Sequence, residues 1–176
     1  MVVFDSSFLI LLLYPAARAP IDPNTKVAVT HPRERVEGLI KQLGKAGETI
    51  LIPAPVLGEI LAHAGDAMEQ YLEILKSSRH VRIVPFDERA AIESAILFGP
   101  GMQRRKKRGG ATGDWQKVKV DQQTVAIARV YSARTIYSND RDVVALCKGT
   151  GVSVERIEDV PIPRDAMQVD MGLPEH

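Results

Sequence analysis

The stretch TIYSNDRD, residues 135 to 142, decides the fold. A β-prone apolar triplet runs straight into Ser138, Asn139 and Asp140, and a helical pattern, RDVVALCKG, follows at once and closes at Gly149. The N-terminus repeats the arrangement. MVVFDSSFLILLLY puts Asp5 between the strand-like VVF and a helix that starts at Ser6 or Ser7. Twice, then, a buried-looking strand ends on a carboxylate.

Working outward, TILIP (49–53), VRIV (81–84) and VSVERI (152–157) read as further strands. RERVEGLIKQLGKAG (33–47) is a helix that ends at Gly47. Another begins at APVLGEILAHAG, and the spacing of Ala64, Ala67, Met68, Tyr71, Leu72 and Leu75 carries the helical signal on. Asp87 caps a helix whose buried face is expected to be Ile92, Ala95 and Ile96. DQQTVAIARVY (121–131) begins a helix at Asp121, and residues 15–32, with four prolines, read as a loop. Strands alternating with helices predict an α/β fold of three layers, α/β/α, around a mostly parallel sheet of about five strands. Residues 1–160 are expected to form a single domain with a basic insertion at about 99–119. The Pro-rich tail, 161–176, is expected to pack loosely.

The 176 residues suit one domain with a sizeable core, and 45% hydrophobic with 26% charged residues is an ordinary globular composition. One cysteine, Cys147, rules out an intrachain disulfide and fits a reducing cytoplasm. FLILLLY is too short to span a bilayer, and no Lys or Arg precedes it as a secretion signal requires. Phosphate-binding glycine loops, metal-ligand His or Cys spacing and a nucleophilic triad are all missing from the sequence. A phosphatase reading is disfavoured because Asp5 is not followed by a second Asp two residues later.

In open parallel sheets, ligands bind outside the carboxyl ends of the strands. Asp5 and Asp140 lie there, Glu59 lies in the first turns of the helix after TILIP, and Asp121 heads a helix that starts at the same edge. Asp142 is a fifth candidate. Each acid also has a plainer reading: Asp5, Asp121 and Asp140 as helix caps, Asp142 as a first-turn acid and Glu59 as a surface residue. Their joint placement favours a shared site. Two unit charges at about 4 Å repel by roughly 4 kcal/mol at an effective dielectric near 20, so such a site calls for a divalent ion. A donor set made only of oxygens favours Mg²⁺ or Mn²⁺, as one or two ions.

With those residues in view, the sequence resembles the PIN-domain nucleases over most of its length. VVFDSSFLI, LIPAPVLGEIL, KVDQQTVAIA and IYSNDRDVVAL are similar to that family's four motifs, in order. The resemblance implies a PIN-like fold and a Mg²⁺- or Mn²⁺-dependent ribonuclease in which Asp5, Glu59, Asp121 and Asp140 bind the metal, with Asp142 as a neighbour. It also implies supporting roles for Ser7 and Ser138. Val143 departs from the family's customary aromatic. Many small bacterial members are toxins that pair with an antitoxin and dimerise, so the resemblance admits both partners. The long segments 15–32 and 99–119 exceed a minimal toxin.

Residues 99–119 hold Arg104, Arg105, Lys106, Lys107, Arg108, Lys117 and Lys119 against Asp114 alone, a surplus of six positive charges that the net +1 of the chain conceals. Trp115 offers a stacking surface for an unpaired base. This segment is expected to bind RNA phosphates next to Asp121. The reading at this stage is an endoribonuclease; a non-catalytic RNA-binding module of the same fold is the alternative.

Overall fold

The computed structural model describes residues 1–103 and 115–170. Five strands, β1 (Val2–Phe4), β2 (Ile50–Pro53), β3 (Val81–Val84), β4 (Thr135–Tyr137) and β5 (Ser153–Glu155), form one sheet in the order β3-β2-β1-β4-β5. Every pairing is parallel. Successive residues of the central strands point to opposite faces, as the pleat requires. Val2, Phe4, Ile50, Ile52 and Tyr137 pack under α1 (Ser6–Leu13), α2 (Pro32–Lys45), α3 (Ala54–Ala62) and α4 (Met68–Ser77). Val3, Leu51 and Ile136 pack under α5 (Glu88–Gln103), α6 (Trp115–Val130) and α7 (Arg141–Cys147). The result is the three-layer, PIN-like arrangement, with both faces of the sheet covered as an all-parallel sheet demands.

The strand order positions the site. The chain starts in the middle of the sheet, builds β2 and β3 to one side, then crosses to build β4 and β5 on the other. Connections therefore diverge between β1 and β4, which leaves a crevice at their carboxyl ends. Asp5 closes that ladder, its N–H donating to the Tyr137 carbonyl at 3.1 Å.

Four details differ from the sequence reading. The helical signal around residues 54–77 is broken: α3 stops at Ala62, and a short 3₁₀ turn at Gly65–Ala67 precedes α4. Gly65 has φ +53°, a left-handed conformation that glycine adopts without a Cβ clash. On α5, Ile92 and Ile96 are exposed, at 54% and 64%, and Ala90 and Phe98 face the core instead. Asp87 does cap that helix, accepting from the Ala90 N–H at 3.0 Å. The segment expected as a loop over 99–119 is bounded more tightly, because α5 runs to Gln103 and α6 begins at Trp115. Asp121 thus lies inside α6 rather than at its head.

The fourth is the segment after Pro161. Residues Arg164–Asp170 form a helix, α8, and Pro163 sits against α2 at Gly38, where an added Cβ would lie 2.6 Å from the Pro163 Cγ. Arg35 of α2 fastens the same region by donating to the carbonyls of Glu158 and Val160. Among the described residues, no helix is long and apolar enough to cross a membrane.

Candidate metal centre

Asp5 occupies the N-cap position of α1 by its backbone, whose carbonyl accepts from the N–H groups of Phe8 and Leu9. Its side chain makes no capping bond. Instead the buried carboxylate takes three hydroxyls: Ser138 at 2.7 Å and Ser7 at 3.2 Å on Oδ2, and Ser6 at 3.4 Å on Oδ1. The cap reading of Asp5 therefore fails for the side chain, which Ser6, Ser7 and Ser138 hold instead.

Ser138 acts in two directions. Its hydroxyl donates to Asp5 and accepts from the Asp140 N–H at 3.0 Å. Asp140 is the N-cap of α7, with Oδ1 accepting from the Asp142 N–H at 2.7 Å. The plain capping role of Asp140 is thus real, and it fixes where the rest of the carboxylate points.

Asp121, Asp140 and Asp142 come together. One carboxylate oxygen from each lies within 4.8 Å of the other two, with Asp121 and Asp142 buried and Asp140 half-buried. Among the described residues, this is the group of His, Cys, Asp and Glu side chains close enough to share an ion. Asp5 stands outside it, joined through Ser138. Glu59 is also outside, half-buried in a cleft of about 590 Å³ with Ser6, Ile10, Tyr14, Ile60, Ala62 and His63. His63, one turn after Glu59, is exposed on that rim.

The donor set fits a hard divalent cation. Mg²⁺ holds oxygens at about 2.0–2.1 Å, so opposite ligands stand about 4.2 Å apart and adjacent ones closer. Three oxygens mutually within 4.8 Å can reach that shell if the carboxylates draw in by up to about 2 Å on binding. Without a cation, each pair of these carboxylates would repel by about 3–4 kcal/mol at an effective dielectric near 20.

Of the proposed RNA contacts, Lys119 is exposed on α6, two residues before Asp121. Arg104, Arg105, Lys106, Lys107 and Arg108 lie outside the described residues, as do the side chains of Trp115 and Lys117. Sequence reasoning passed over Ser6 and Asn139. The N–H of Asn139 donates to Ser7 Oγ at 3.0 Å, and its Oδ1 accepts from the Ile157 N–H at 2.9 Å. A turn-forming Asn between a strand and a helix was the available signal, but its partner lies 18 residues away.

The chain matches no family model and no curated protein by sequence. By structure it resembles a chain of VapBC2 from Rickettsia felis, determined bound to a DNA fragment from their promoter. The TM-score is 0.61 at 15% identity, over 89% of this chain and 98% of that one. A chain of FitAB bound to the IR36 DNA fragment gives a TM-score of 0.56 at 18% identity, covering 90% and 96%. VapC20 of Mycobacterium tuberculosis, a sarcin-ricin loop cleaving toxin, gives 0.51 at 16% identity, covering 82% and 94%. These TM-scores and coverages establish a common PIN-like fold, and identities this low carry the likeness no further than the fold.

Proposed function

We propose that this chain is a Mg²⁺- or Mn²⁺-dependent endoribonuclease, the toxin of a toxin–antitoxin pair. The observation that carries the reading is the meeting of Asp121, Asp140 and Asp142 at the crevice between β1 and β4. The fold shared with VapC20 and with the VapBC2 and FitAB chains supports the toxin assignment, the cytoplasmic location and an antitoxin partner. A homodimer is part of the same proposal.

In this reading Asp121, Asp140 and Asp142 hold the first ion. When bound, that cation supplies positive charge against the charge developing on the phosphoryl group and activates a water for attack. Asp5 holds Ser138, and Ser138 holds Asp140, so the ligand is oriented before metal arrives. Glu59 shares a cleft with Ser6, which donates to Asp5, and the substrate strand would lie there. Lys119 and the cations of residues 104–108 hold RNA phosphates at the start of α6, with Trp115 stacking on a base.

The test uses labelled single-stranded RNA with Mn²⁺ or with EDTA, and the variants Asp121→Asn and Asp140→Asn. Metal-dependent cleavage lost in both variants is expected. Cleavage that survives EDTA or both substitutions rejects the mechanism, and binding without cutting selects the non-catalytic RNA-binding module.

A further inference from the structure

Asn139 sits between the two residues that link Asp5 to the acid cluster, and it belongs to neither. Its backbone N–H is tied to Ser7 at the start of α1. Its side-chain oxygen is tied to the N–H of Ile157, a fully buried residue that opens the 3₁₀ turn after β5. That turn is itself anchored to α2 by Arg35, through the carbonyls of Glu158 and Val160. The SND turn is therefore stretched between two fixed points, and Ser138 and Asp140 flank the residue that does the fastening.

We propose that Asn139 is a positioning residue for the ion site: its Oδ1, by accepting from the Ile157 N–H, sets the turn so that Asp140 and Asp142 face Asp121. The proposal rests on the metal-site reading given above. Its physical basis is that an N–H in buried surroundings demands a partner. Without Oδ1, the Ile157 amide is satisfied only if the turn or the 3₁₀ segment shifts, or if water enters between them. A shift of the turn moves the Asp140 carboxylate, and through the 2.7 Å bond from the Asp142 N–H it moves the start of α7 as well. Mg²⁺ tolerates little departure from octahedral geometry, so ligands displaced by a few tenths of an ångström bind it less well. Groups that orient metal ligands are worth about 10- to 100-fold in metal affinity or activity.

The design of the turn also separates this role from ordinary stabilisation. Asn139→Asp keeps an acceptor oxygen in the same place, whereas Asn139→Ala and Asn139→Leu remove it, the latter with similar volume. Mn²⁺ affinity is measured by calorimetry on the full chain, with thermal midpoints of the metal-free proteins alongside. In the wild type, Mg²⁺ is titrated while the backbone amide resonances of Ile157 and Asp142 are followed.

The expected result is that the Asp variant binds Mn²⁺ at least as tightly as wild type. The Ala and Leu variants, still folded, should lose about 10-fold or more. The Ile157 amide should shift with the same Mg²⁺ midpoint as Asp142. Equal affinity in all four proteins overturns the proposal, as does an Asp variant as weak as the Ala variant. Should neither Ala nor Leu fold, a stationary Ile157 amide in the wild-type titration overturns it. If the wild type binds neither ion, the metal-site reading itself fails, an outcome distinct from binding that ignores position 139.

Discussion

At the scale of single residues, the site is a chain of short bonds running from Asp5 through Ser138 to Asp140 and Asp142. Ser138 holds Asp5 with its proton and Asp140 with its lone pair. Ser138→Ala deletes both bonds in a buried place, so a stability loss of about 1–3 kcal/mol is expected. Mn²⁺ affinity should fall about 10-fold, while Ser138→Thr, which keeps the hydroxyl, should restore both; urea titration and calorimetry read the two effects. Tyr137, one residue earlier, faces inward against Phe4 and Phe8, at ring-centroid distances of 5.4 and 5.5 Å. Burial, reinforced by Glu155, pushes its phenol from 10.0 up to about 12. The unfolded chain therefore loses this proton before the folded one does. This group's contribution to stability is constant below pH 10 and falls by about 1.4 kcal/mol per unit as pH rises from there toward 12. Tyr137→Phe should flatten that limb of a urea-midpoint profile; an unchanged alkaline slope would show that the phenol is not buried in solution. Much of this was legible beforehand. Strands ending in an acid mark Asp5 and Asp140, whereas Ser7 and Ser138 were indicated only by the family resemblance. Asn139 was not legible, because its bond to Ile157 exists only once β4 and β5 are neighbours.

Elements were read well where one property fixed them and poorly where two competed. All five strands were visible, VVF, ILIP and TIY as short apolar runs and VRIV and VSVE as alternating ones between polar turns. The apolar spacing that runs through Ala64 and Ala67 concealed the break at Gly65, since periodicity registers which residues face inward and not whether the axis is continuous. On α5 the two isoleucines suggested the buried face, yet the helix turns Ala90 and Phe98 inward, so hydrophobicity alone chose wrongly. Ile92→Lys and Ile96→Lys should accordingly change folding stability by no more than about 0.5 kcal/mol, as exposed positions do. A loss of several kcal/mol in urea titration would show that something covers this face. The tail gives the converse case. Gly38 lies mid-helix, where glycine costs stability relative to alanine, but Pro163 occupies the space a side chain would need. Gly38→Ala should lower stability by about 1–3 kcal/mol through overpacking, and pairing it with Pro163→Ala should recover most of that loss. Simple additivity of the two substitutions would mean that α2 and the segment before α8 do not touch.

Over the whole molecule, topology and charge bear on the proposal that one small domain brings acids and RNA together. The order β3-β2-β1-β4-β5 cannot be read from the sequence, since the same strands could be added in other orders. It is this order that makes β1 and β4 neighbours and so brings the turn after β4 against Asp5. The same crevice gathers negative charge, and the residues outside 99–119 are acidic on balance, because that segment alone holds seven of the 23 Lys and Arg and only one of the 22 Asp and Glu. An anionic strand approaching three carboxylates gains from a cationic contact nearby. The segment that supplies it by sequence connects α5 directly to α6, the helix carrying Asp121. For single strands, each phosphate neutralised contributes about 0.7 to the slope of log affinity against log salt, so five engaged cations contribute about 3 to 4. Replacing Arg104 to Arg108 with Ser should therefore weaken RNA binding at low salt and flatten its salt dependence by up to that amount. Mn²⁺ affinity should stay unchanged, because none of these residues belongs to the acid cluster. Binding isotherms across a salt series separate the two effects. A slope that stays as steep as in the wild type would place the RNA contacts elsewhere, and a loss of metal affinity would show that the segment supports the site rather than the strand.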